Sequence, residues 1–124
     1  MPDPARMPAM PKSPPELIDQ FAAEMAGFPS AQIRRTFGYP CAYVNGNMAT
    51  GLHGAAWFVR VPEDATAELL AIDGAAPFEP MPGRPMRGYT LLPASVLADG
   101  ASLDRWIARA LEHVATLPPK AGKR

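Results

Sequence analysis

FGYPCAYVNGNMATGLHGAAWFVRV, residues 37–61, is the densest run of strand-forming residues in the chain. At its centre stands Val44-Asn45-Gly46-Asn47. Asn-Gly supplies the two positive φ angles that a two-residue type I′ hairpin needs, so the chain is expected to reverse there. Such a turn sets Val44 against Asn47, Tyr43 against Met48, Ala42 against Ala49 and Cys41 against Thr50. A second reversal is expected at His53-Gly54 or Gly54-Ala55. Side chains alternate across a strand. This register therefore predicts one face with Tyr43, Met48, Cys41, Thr50, Leu52, Trp57, Val59 and Val61, and another with Ala42, Val44, Ala49, Gly51, Phe58 and Arg60. The Trp57 face offers the larger apolar area and is the one expected to meet helices. The opposite face reads as flat, either solvated or open to a partner.

Helical periodicity flanks this core. Ser13-Pro14-Pro15-Glu16 reads as a capping box opening a helix with Leu17, Ile18, Phe21 and Met25 on its apolar stripe, closed by Gly27 and Pro29. Gln32–Gly38 reads as a first strand, interrupted by a bulge or bend at Gly38 and Pro40. Pro62-Glu63-Asp64 opens a second helix that Asp73-Gly74 stops. Residues 75–85 read as an irregular loop anchored by Phe78 and Met81, followed by a strand over Met86–Leu92 and a turn at Ala94–Ala98. The last helix is expected from about Ser102, with Leu103, Trp106, Ile107, Ala110, Leu111 and Val114 buried and Asp104, Arg105, Arg109 and Glu112 outside. The organisation expected is a disordered leader over 1–12, one domain over 13–119 and a basic tail over 120–124. The fold class is α+β, an antiparallel meander packed by N-terminal, middle and C-terminal helices.

A chain of 124 residues with a net charge of zero does not announce a polyanionic partner. Arg34, Arg35, Arg60, Arg84 and Arg87 are the basic cluster candidates, but Arg34 and Arg35 must point to opposite sides of a strand, which argues against direct nucleic-acid binding. One cysteine, Cys41, suits a reducing compartment. No apolar run approaches the ~18 residues of a membrane span, so a cytoplasmic protein is expected. His53, His113 and Cys41 are too scattered to hold a metal, and no phosphate loop or other cofactor motif is present. No carboxylate pair stands out for acid–base work among Glu16, Glu24, Glu63, Asp64 and Glu68. No catalytic set is expected. An alternative is a small-ligand pocket or enzyme site near Tyr39, Cys41, His53 and Tyr89.

Arg35-Thr36-Phe37-Gly38, the Asn45-Gly46 hairpin leading to Met48, and the block Phe78 to Met86 with Gly83, Gly88-Tyr89 and Pro93 resemble the conserved blocks of the TfoX/Sxy N-terminal domain family. The Leu103-Asp104-Arg105-Trp106 helix and the Leu117-Pro118-Pro119-Lys120 ending match as well, so the resemblance covers roughly residues 15 to 120. It implies a compact α+β fold similar to that of secretion-chaperone-like proteins, with a strand near Phe78. It gives structural roles to Phe37, Gly38, Asn45, Gly46, Met48, Gly83, Met86 and Pro93. Two-domain relatives regulate competence together with a transcription factor. A single-domain member is expected here, with Thr36 in place of the family's Met. The function expected is a non-enzymatic protein-interaction or regulatory module that binds a partner or itself through Arg34, Tyr43, His53, Phe58, Arg60, Arg87 and Tyr89. A competence-type transcriptional co-regulator is the alternative that the resemblance implies.

Overall fold

The computed structural model describes residues 12–36, 38–81 and 83–119. The expected leader, apart from Lys12, the tail over 120–124, and Phe37 lie outside the described residues. In order, the chain forms α1 (Pro15–Met25), β1 (Gln32–Thr36), β2 (Tyr39–Val44), β3 (Asn47–His53), β4 (Ala56–Arg60), α2 (Glu63–Leu70), β5 (Ala76–Pro77), β6 (Tyr89–Leu91), α3 (Ala94–Leu97) and α4 (Gly100–Ala115). The strands make one antiparallel sheet of order β1-β2-β3-β4-β6-β5. This is the expected α+β architecture.

Three tight reversals build the meander. Thr36 pairs with Tyr39, so the chain turns back through Gly38 where only a bend was expected. Asn45 and Gly46 have φ of 53° and 82°, the type I′ signature. His53 pairs with Ala56, placing the last turn at Gly54-Ala55. There only Gly54 is positive, as a type II′ turn requires.

The register departs from expectation at one point. Val44 faces Asn47 and Tyr43 faces Met48, but Ala42 then faces Thr50 and Cys41 faces Gly51. Ala49 is the extra residue of a β-bulge, and beyond it β3 has changed parity relative to its start. Met48, Tyr43 and Cys41 consequently lie opposite Trp57, not beside it. Ala42 and Ala49 move to the Trp57 side, where both are fully buried.

All four described helices cover that side. Phe21 and Met25 of α1, Ala65 and Leu69 of α2, Val96 of α3 and the α4 stripe Leu103, Trp106, Ile107, Ala110, Leu111 and Val114 close over Leu52, Trp57 and Val59. The ring of Phe21 meets that of Trp57 at 5.1 Å. Trp57 Nε1 donates to Thr50 Oγ1 (2.9 Å), and this hydroxyl donates to the Phe58 carbonyl (2.7 Å), so the buried indole N–H is satisfied inside the core.

Several boundaries shift. Ser13 does not cap α1: Pro14 stands at the N-cap position with no side-chain cap, and Ser13 Oγ donates instead to the Gly54 carbonyl at 2.7 Å, tying the helix start to the last hairpin. The strand expected over Met86–Leu92 shortens to Tyr89–Leu91, because a turn occupies Arg87 and Gly88, the latter at φ 87°. Residues 76–77 pair with β6, supplying a short strand just ahead of Phe78 in what was read as loop. Ala94–Leu97 is a helical turn, and Asp99 caps α4 by accepting from the Ala101 N–H at 3.2 Å.

Candidate functional site

The helix-free face of the sheet carries the candidate residues. With the bulge in place, Arg34, Cys41, Gly51 and Phe58 follow one another across β1 to β4 on this face, with Tyr43, His53, Arg60 and Tyr89 at alternate positions. Six of the seven expected surface residues therefore converge: Arg34, Tyr43, His53, Phe58, Arg60 and Tyr89. Arg87 lies exposed in the turn before β6.

The face is not flat. Cys41, Phe58, Phe78 and Tyr89 form a second buried cluster, with Tyr43, Met48, Met86 and Leu91 packed against it. Phe58 stacks on Phe78 at 4.5 Å and meets Tyr89 edge-on at 5.6 Å. The His53 ring lies between Tyr39 at 5.0 Å and Phe78 at 5.4 Å. Phe58 itself is only 2 % exposed, so its part is to support this face from beneath. Gly51 permits the packing: a Cβ there would stand 2.5 Å from Cys41 Sγ and 2.9 Å from Phe58 Cζ.

Around this apolar centre runs a cationic and phenolic rim. The Arg34 guanidinium lies 5.2 Å from the Tyr43 ring centre and that of Arg60 lies 5.5 Å from Tyr89, both within cation–π range. The Tyr43 and Thr36 hydroxyls are hydrogen-bonded, and the Tyr89 hydroxyl donates to the Met48 carbonyl at 3.1 Å. Burial raises the Tyr89 phenol above its ordinary value, with Arg60 opposing in part. Burial likewise raises the Cys41 thiol, which keeps it protonated near neutral pH, the wrong state for a nucleophile. The four residues of the alternative pocket, Tyr39, Cys41, His53 and Tyr89, do share this face. Cys41 and Tyr39 are buried in it, at 2 % and 5 % exposure. Of the motif residues, Gly38 and Gly83 occupy positive-φ positions, Met48 and Met86 border the second cluster and Pro93 is buried.

One pairing was missed. Glu24 of α1 comes beside Asp104 of α4 in a concavity of about 530 Å³ that Gly27, Ala101 and Arg105 help to line. Glu24 Oε2 is buried without a hydrogen-bond partner among the described residues. Two ionised carboxylates offer each other no donor; protonating Glu24 supplies one. Burial, then Asp104, pushes Glu24 up to about 7. Sequence alone singles out no carboxylate pair for acid–base work among Glu16, Glu24, Glu63, Asp64 and Glu68; the partner that Glu24 meets, Asp104, lies outside that set. The two residues are on different helices far apart in the chain, and no sequence pattern links them.

At the sheet's edge, Gln32–Arg35 of β1 are all exposed. Beneath β1, on the helix side, Ile18, Phe21, Ala22, Met25, Ile33 and Pro40 line an apolar concavity of about 250 Å³. Among the described residues no group of three or more His, Cys, Asp or Glu is placed to hold a metal ion. No described helix is long and apolar enough to cross a membrane.

Residues 23–114 match the TfoX N-terminal domain. No curated protein and no solved structure matches the chain.

Proposed function

The chain belongs to the TfoX N-terminal domain family, and on that premise we propose that it is a non-enzymatic protein-interaction module whose contact surface is the helix-free side of the sheet. The observation that carries this reading is the convergence on one side of Arg34 over Tyr43 and Arg60 over Tyr89, around an aromatic centre, while all the described helices pack the other side. Rings and guanidinium groups already held in place lose little conformational freedom when a partner arrives, the property that favours Tyr and Arg at interfaces. A buried, protonated thiol and a histidine packed between rings support binding in preference to covalent chemistry.

The test uses the full chain immobilised in native lysate, alongside size-exclusion chromatography. A variant carrying Arg34→Ala, Tyr43→Ala and Arg60→Ala serves as control, with its fold checked by circular dichroism. The wild type is expected to retain a partner, or to self-associate, and the variant to lose this. A wild-type chain that stays monomeric and retains nothing beyond what the variant retains would overturn the proposal.

A further inference from the structure

Charge is segregated by element in this chain. The described strands hold Arg34, Arg35 and Arg60 and no aspartate or glutamate; every described acid lies on a helix or a connection. Zero net charge therefore conceals a sheet that is purely cationic. Two of its arginines are adjacent on the edge strand β1, Arg34 on the helix-free side and Arg35 on the helix side.

Arg34 Nη2 donates to Gln32 Oε1 at 2.9 Å and Arg35 Nη1 to the Gly38 carbonyl at 3.2 Å. Among the described residues neither arginine meets a carboxylate. One side of β1 pairs with β2 and, among the described residues, the other has no strand beside it, leaving alternate N–H and C=O groups open to another chain. Next to that edge, Ile33 is 49 % exposed and Ile18 is 40 % exposed over the apolar concavity.

Building on the interaction-module reading, we propose that β1 accepts an extended acidic segment of a partner protein as a seventh, antiparallel strand. Passing Arg35, Arg34 and Ile33 in turn, that segment presents an acid, a second acid and an aliphatic residue. Directly opposed side chains in such a pair sit about 5 Å apart. The first acid meets Arg35 and the aliphatic residue enters the groove at Ile18, both on the helix side, while the second acid meets Arg34 on the other side. A second copy of this chain fits less well: β1 holds no carboxylate, so no two-fold pairing of β1 sets an acid opposite either arginine, and pairings centred on Arg34 or Arg35 oppose like charges directly. Nucleic acid would use the arginines but neither the aliphatic groove nor the free backbone edge.

The test titrates the isotope-labelled full chain with a capped peptide Thr-Thr-Glu-Glu-Leu-Thr-Thr. Controls are a scrambled peptide, the same peptide with Lys for Glu, and single-stranded oligothymidine. The expected result is protection of the Ile33 and Arg35 amides, the alternate β1 groups that face away from β2, from solvent exchange by at least tenfold. Affinity should fall at least tenfold for both control peptides, and the double variant Arg34→Glu, Arg35→Glu should prefer the lysine peptide. The inference is overturned by no binding at millimolar peptide, by binding that leaves the β1 amides unprotected, or by indifference to charge. It is also overturned if oligothymidine binds more tightly than the peptide. If Arg34→Gln, Arg35→Gln dimerises while the wild type ignores the peptide, the arginines only guard the edge and the inference fails. Capture of a partner that persists in Arg34→Glu, Arg35→Glu overturns the strand site and leaves the module reading standing; absence of any capture by the wild type overturns the module reading.

Discussion

Gly51→Ala probes the bulge-dependent packing of the helix-free face. The added Cβ would lie 2.5 Å from Cys41 Sγ, 2.9 Å from Phe58 Cζ and 3.1 Å from Cys41 Cβ. Ordinary contact begins near 3.4–4 Å, so something must move by about 1 Å. Neither neighbour yields easily: Phe58 is held between Phe78 and Tyr89, and Cys41 is 2 % exposed. Overpacking of this kind costs about 1–3 kcal/mol, and the pinned neighbours favour the upper half of that range. Replacing glycine also restricts the unfolded chain, which returns about 0.4–1 kcal/mol. The steric term wins, leaving a net loss of about 2 kcal/mol, or roughly 10 °C in Tm for a domain of this size. Urea and thermal unfolding followed by tryptophan fluorescence and circular dichroism measure it. Cys41→Ala removes the closest atom, so in Gly51→Ala, Cys41→Ala the two losses should fall short of their sum by at least about 1 kcal/mol. A Gly51→Ala chain within about 0.5 kcal/mol of wild type, or strictly additive losses, would refute the close approach deduced from the bulge.

Thr50→Val strands the buried Trp57 N–H and should cost about 2 kcal/mol in urea unfolding, whereas Thr50→Ser, which keeps the hydroxyl, should cost about half as much or less. Glu24 is raised from 4.5 to about 7 in the folded chain, so the stability it contributes is complete below about pH 4.5 and is lost as pH rises through 7. At about 1.4 kcal/mol per pH unit the full effect would be roughly 3 kcal/mol, which water on the open side of the pair screens to about 1 kcal/mol. Unfolding of wild type and Glu24→Gln at pH 5 and pH 8 should show the variant gaining by that amount at the higher pH; parallel pH profiles would remove the carboxyl pair from the account. The Cys41 thiol should react with Ellman's reagent at least about 100-fold more slowly in the native chain than in urea, since burial both shields it and disfavours its thiolate.

Local chemistry carries a long way in this protein. Asn45-Gly46 and Gly54 set their hairpins because positive φ is a property of single residues, and the α4 stripe from Leu103 to Val114 follows from helical periodicity alone. Those signals suffice for the meander, the helices and the α+β class. They also place Arg34, Arg60, Phe58 and Tyr89 on strands whose pairing later joins them.

What no local pattern specifies is which residue a strand leaves unpaired. A perfect ladder from Asn45-Gly46 puts Met48 and Cys41 beside Trp57. The single extra residue Ala49 reverses that parity, because the core beneath α4 accepts alanine and Thr50 there and the helix-free side takes the thiol and the methionine. Phe78 becomes part of that side only when residues 76–77 pair with β6, and Glu24 meets Asp104 only when α1 and α4 pack together. Turn and helix signals are carried within a few residues, whereas burial, charge pairing and the exposure of β1 depend on groups brought together from distant parts of the chain, and only the folded structure decides those.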